Sequence, residues 1–178
     1  MKKFELTSET KAFFGKTLYR IRALISFGDV SAGDLGGFVE KEENLDQSGD
    51  AWVSGNACVS GNARVSGNAR VSGDAWVFGN ACVSGNAWVS GDARVSGNAM
   101  VDKIGAIFWV GAVGSRNDTT TFFKCKDGKV RVACGCFFGD LTEFAEKVNE
   151  THGDNEHGKV YMLAIEMAKA RISLEGER

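Results

Sequence analysis

The sequence predicts a mostly-β protein built round a solenoid of very short strands, and three observations predict it. From Val53 the chain reads VSGNAC, VSGNAR, VSGNAR, VSGDAW, VFGNAC, VSGNAW, VSGDAR and VSGNAM, consecutive hexads without insertion that end at Met100. Of 178 residues, 23 are glycine and none is proline, so the glycines follow a regular rule and not the mixed Pro/Gly usage of a linker. The period is six, with Gly-Asn or Gly-Asp in every repeat, which does not fit the 3.6-residue period of an amphipathic helix.

Each position of the hexad has a physical reading. Valine at the first position is β-branched and suits a strand whose side chain points inward. The Gly-Asn or Gly-Asp pair tolerates positive φ, as a sharp corner requires. Alanine at the fifth position fits beside that corner. The sixth position carries Trp, Cys, Arg and Met interchangeably, which a packed interior would not tolerate, so it points outward. Before Val53, the hexad Gln47–Trp52 keeps the last five positions in phase. Leu35–Glu40 and Lys41–Asp46 still place Val39 and Leu45 at their fifth positions.

These hexads resemble the left-handed parallel β-helix proteins of the hexapeptide-repeat family, in which three hexads make one triangular coil. The resemblance implies a left-handed parallel β-helix of about four 18-residue coils over residues 35–102. The whole chain also resembles a group of phage and prophage proteins. They share a segment like GDVSAGDLGGFVEKEENL (28–45), a GNA/GDA coil, and a terminal unit like GSRNDTTTFF (114–123), VACGCFFG (132–139) and THGDNEHGKVY (151–161). With 18 residues per coil, sixth-position residues stack in three columns: Trp52, Arg70, Trp88; Cys58, Trp76, Arg94; and Arg64, Cys82, Met100. Trp and Arg dominate binding hot spots, so Trp52, Arg70 and Trp88, with Trp76 and Arg94, are the interface candidates.

The flanks complete three segments: an N-terminal β cap over 1–34, the coil over 35–102, and a small α+β unit over 103–178. KTLYRIRALI (16–25) alternates as a strand, which would cover the exposed edges of the first coil. Beyond the coil, Ile104–Val113 is a strand. Thr119–Lys126 and Lys129–Phe138 flank Asp127-Gly128 as a hairpin with a two-residue turn. That register would put Cys125, Cys134 and Cys136 on one face with Val130 and Val132. Asp140 and Glu143 form a capping-box pair that opens a helix. A second helix over about 156–172 has so wide an apolar face, from Val160 and Tyr161 to Met167 and Ile172, that it should be largely buried.

Charge and chemistry narrow the function. The net charge is −2, and residues 1–46, 47–102 and 103–178 carry 7, 3 and 11 basic against 8, 4 and 11 acidic side chains. No segment has the basic surplus of a DNA-binding protein, so nucleic acid is disfavoured as a partner. No apolar run reaches the ~18–20 residues of a membrane span, and no apolar stretch follows Met-Lys-Lys to make a signal peptide. An odd set of five cysteines (58, 82, 125, 134, 136) points to free thiols in a bacterial host's reducing cytosol.

Enzymes of the hexapeptide-repeat family transfer acyl groups with a histidine base in or beside the coil. Here residues 35–102 hold no histidine, and His152 and His157 lie between the two helices. An acyltransferase is therefore the least favoured of three readings. Arg116, Asn117 and Thr119 in the GSRNDTTT run, with His152 and His157, are candidates to bind an anion or nucleotide if the two loops converge. The Cys-x-Cys spacing falls short of the usual zinc pattern, so no metal and no cofactor is expected. The favoured reading is a non-enzymatic binding or scaffold protein of phage type that contacts a host protein or complex, inhibition of a bacterial defence system being its first form. Self-association, as a dimer or trimer, accompanies that reading.

Overall fold

A computed structural model describes residues 2–173. The solenoid is made of two-residue rungs, each pairing a sixth-position residue with the valine that follows. They are β4 (Trp52–Val53), β5 (Cys58–Val59), β6 (Arg64–Val65), β7 (Arg70–Val71), β8 (Trp76–Val77), β9 (Cys82–Val83), β10 (Trp88–Val89), β11 (Arg94–Val95) and β12 (Met100–Val101). Every rung lies parallel to the one 18 residues away, so Trp52 pairs Arg70 and Arg70 pairs Trp88. Cys58, Trp76 and Arg94 form the second column, and Arg64, Cys82 and Met100 the third. The result is a parallel β-solenoid of about four turns, roughly 19 Å long at ~4.8 Å per rung.

The valines from Val53 to Val101 are fully buried, and so are the fifth-position alanines from Ala51 to Ala99. Two of every six side chains thus build the core. The corner glycines answer two demands at once. Gly67 has φ +67°, and a Cβ there would stand 3.0 Å from the backbone nitrogen of Gly85 on the next turn. Beside them Asn62 donates its side-chain amide to Asn80 at 3.2 Å, and Asn68 to Asn86 at 3.1 Å, laddering the corners along the axis.

The first turn departs from the hexad phase. Leu45, not Gln47, sits under Val65, so the chain spends two extra residues before Val53. The displaced Gln47 accepts from the backbone N–H groups of Lys3 and Phe4 at 2.8 and 3.3 Å, fastening the cap. That cap is a hairpin of β1 (Phe4–Phe13) and β2 (Lys16–Ala23), followed by β3 (Leu35–Val39). β2 runs antiparallel to β3, and β3 runs parallel to β5, so the cap extends one flank of the coil as a continuous sheet.

Backbone carbonyls at the open end of the first turn lack a coil beneath them. Polar side chains replace it. The Lys3 ammonium, only 2% exposed, donates to the carbonyls of Ala51, Gly49 and Ser48 at 2.9, 3.3 and 3.4 Å. One turn higher, the equivalent carbonyls of Gly67 and Ala69 accept from the backbone of Ala51 and Trp52. At another corner the Asn44 amide serves Ala63 and Gly61 at 2.8 and 3.1 Å.

The C-terminal unit is a four-stranded antiparallel sheet, β13 (Ile107–Val113), β14 (Asp118–Lys124), β15 (Val130–Cys134) and β16 (Phe137–Asp140), followed by α1 (Leu141–His152) and α2 (Glu156–Ser173). One face of the sheet closes the far end of the coil. Phe123, Cys125 and Ala133 join the solenoid core, and Thr121 Oγ1 accepts from the Arg94 backbone at 3.0 Å. The other face packs on the helices through Phe122 and Val132 against Phe144, Val148 and Ile165. Asp140 caps α1 by accepting from the N–H groups of Thr142 and Glu143, while Glu143 accepts from Asp140, the reciprocal box expected from sequence.

Three expectations are corrected. The hairpin turn has three residues, not two: Cys125 N–H donates to Lys129 O, Gly128 sits at φ +78°, and Phe122 faces Val132. A one-residue slip reverses faces, so Cys125 points into the coil while Cys134 points to the helices. Ile104 begins not a strand but a short 3-10 turn, Ile104–Ala106. And α2 is buried along one face alone, Tyr161, Ala164, Ile165, Ala168 and Ile172, leaving Val160, Met162, Leu163 and Met167 exposed, since among the described residues no layer lies beyond it.

Candidate functional site

The column candidates meet different fates. Trp52 is only 4% exposed, because Phe27 and Phe4 of the cap region pack on its ring at 5.4 and 6.4 Å. It belongs to the cap's anchorage, which corrects its placement in an outer strip. Trp76 is likewise covered. Phe78 from its own coil stacks on it at 4.2 Å, and Phe13 and Phe14 from the hairpin tip close over it at 4.5 and 4.6 Å. Arg94 lies against the edge of the C-terminal unit, its guanidinium partly exposed and 3.9 Å from the Asp118 carboxylate. Arg70 pairs with Asp29 of the cap. Trp88 alone of the three coil tryptophans stands out, 55% exposed, with its indole N–H 3.5 Å from Ser72 Oγ.

Of the two polar segments singled out in the sequence, the 114–118 turn meets the end of α1 at His152, while the loop between the helices lies elsewhere. A cleft of about 490 Å³ opens between the β13–β14 turn, the β15–β16 turn and the end of α1. Arg116, Lys147 and His152 line it together with Cys134, Tyr161, Phe137 and Phe144, and the exposed Cys136 stands at its edge. Its cations outnumber the one carboxylate present, Asp118. His157 stands behind His152 at 5.7 Å between rings, outside the lining. Asn117 adopts φ +49° and donates its N–H to Gly114 O, so it acts as turn chemistry. Thr119 is buried in β14, on the coil-facing side of the sheet with Thr121 and Phe123, and this removes it from the ligand candidates.

Tyr161 is the cleft residue that sequence reading passed over, because its place on an apolar stripe looked like plain core. Burial, and then the neighbouring Cys134 thiol, push its phenol up to about 12, so it stays neutral and keeps its proton. Cys134 lies 3.8 Å from the phenol oxygen and accepts from Thr120 Oγ1 at 3.2 Å. The His152 ring stacks on Tyr161 at 5.7 Å. Gly114 lies so close to the phenol that a Cβ there would overlap it, 1.9 Å from its oxygen. The rim residues Arg116 and Lys147 are exposed. Among the described residues, no group of three or more His, Cys, Asp or Glu side chains is placed to hold a metal ion. Among those residues, too, no helix is long and apolar enough to cross a membrane.

A family model of the YdcK beta-solenoid repeat matches residues 63–78, which span β6 to β8 and the corners between them. The match covers the repeat and none of the flanking units. No curated protein matches the chain.

Proposed function

We propose that the protein is a non-enzymatic binding protein of phage or prophage type that acts in the host cytosol by contact with a host protein or complex. The observation that carries this reading is Trp88: a large indole left half out of the surface, on a rigid parallel sheet, next to the Arg70–Asp29 pair. An exposed Trp beside an Arg on a preorganised surface is the composition of a protein-contact hot spot. The supporting fact is that the neighbouring tryptophans are each covered by the protein's own aromatic side chains, whereas this one is not. Expression in host cells that carry a defence system should restore phage plaques, and Trp88→Ser should remove that rescue with an unchanged circular dichroism spectrum. Failure of rescue against every system tried, or rescue that survives Trp88→Ser, overturns the reading.

A second reading is favoured by one observation, the convergence of Arg116, Lys147 and His152 on one aromatic-lined cleft. In it the C-terminal unit takes a small anionic ligand such as a nucleotide. Native mass spectrometry of the purified protein separates the readings, because a retained nucleotide lost in Arg116→Ala supports the second alone.

A further inference from the structure

We infer that the protein forms an antiparallel homodimer through the outer face of α2, a surface separate from both Trp88 and the cleft. Val160, Leu163 and Met167 are 41, 66 and 57% exposed, on the side of the helix opposite its buried stripe of Tyr161, Ile165, Ala168 and Ile172. A surface helix ordinarily has one apolar face, and α2 has two. The second runs Val160, Leu163, Met167, Ala170, the alternating three- and four-residue spacing of a helix-pairing seam.

Charge identifies the occupant as a second copy of this chain. Lys159 and Glu166 are exposed, lie one heptad apart, and each immediately precedes a seam residue, so they flank the seam at equivalent positions with opposite sign. The Glu166 carboxylate, already held by Lys169 of its own helix at 2.7 Å, would be shared with the Lys159 of the second copy. When two copies of α2 lie antiparallel about a twofold axis between residues 161 and 162, Lys159 of each copy faces Glu166 of the other. Val160 of each then packs on Leu163 of the other, and Met167 covers the other helix's first turn. A twofold axis makes every such contact twice, so one favourable pair becomes two. Sliding the helices by one heptad sets Glu166 against Glu166 on the axis, so the same charges fix the register. Self-complementarity of this kind answers to a copy of the same helix.

Sedimentation equilibrium of the full-length protein over a concentration series tests this. The wild type should reach twice the monomer mass, and Leu163→Asp should stay monomeric with an unchanged circular dichroism spectrum. Lys159→Glu should raise the dimer dissociation constant roughly tenfold or more, since it turns both ion pairs into like-charge contacts. Lys159→Glu combined with Glu166→Lys should bring the constant back towards wild type. A monomer at every concentration, a trimer, a Leu163→Asp protein that still dimerises, or a charge swap that fails to recover association overturns the proposal. If Leu163→Asp misfolds, the surface charge variants decide it.

Discussion

Replacing Lys3 with Met tests how the solenoid's open end is closed. The substitution keeps most of the aliphatic stem and removes an ammonium that donates to three carbonyls of the first turn. Hydrogen bonds from a charged donor are worth about 1.5–3 kcal/mol each, and an orphaned buried acceptor costs about 1–3 kcal/mol. Against this stands relief of the desolvation that burial imposes on the ammonium, several kcal/mol for a buried ion. With the Gly49 and Ser48 contacts long, the net loss should be about 2–4 kcal/mol, which lowers Tm by roughly 5–12 °C for a chain of this size. Burial holds the Lys3 ammonium below its ordinary 10.5, with the Asp46 and Asp50 carboxylates opposing the shift. In the window between the lowered value and 10.5, the unfolded chain binds a proton that the folded one does not. Wild-type stability therefore gains with rising pH there, and the gap to Lys3→Met widens. Thermal and denaturant unfolding of both proteins across that window gives the answer. A Tm that does not change, or a gap that narrows as pH rises, refutes the account of Lys3 as a substitute for the missing coil.

Val71→Asp places an unpaired carboxylate in the fully buried valine stack, at a cost of about 3–5 kcal/mol, and should abolish the cooperative unfolding transition of the coil. Trp52→Ser should destabilise by about 3 kcal/mol or more, because the cap aromatics lose their anchor, whereas Trp88→Ser should stay within about 1 kcal/mol in denaturant unfolding. In an ultraviolet phenolate titration of the folded protein, Tyr161 should ionise only at about 12. Since the unfolded phenol titrates near 10, the folded state binds the extra proton between these values, and stability falls as pH rises through them. Tyr161→Phe should remove that fall.

The sequence by itself determined the short-strand repeat and its inward valines, because a strict six-residue period returns each position to the same side of the coil wall; the 18-residue turn, and with it the columns, was implied by the resemblance to hexapeptide-repeat β-helices and is the pairing the structure has. It also determined the cap of α1, since Asp140 and Glu143 act on backbone groups within three residues of themselves. The hairpin register was not legible. Asp127-Gly128 suits two- and three-residue turns alike, and the choice came from Phe123 and Cys125 docking on the coil end, a contact between segments far apart in the chain. The hexad phase extended back to Gln47, yet Leu45 took the core place, since an aliphatic side chain fits the valine stack and an amide does not. Trp52, Trp76 and Trp88 occupy the same hexad position and are indistinguishable in sequence. Which of them faces solvent depends on where the cap and the phenylalanines settle. The cleft of Arg116, Lys147, His152 and Tyr161, and the exposed outer face of α2, exist because the four-stranded sheet brings distant segments together and, among the described residues, leaves no layer above the last helix. Local chemistry wrote the repeat, and the packing of non-repeating segments on its ends decided which of its side chains remain available to a partner.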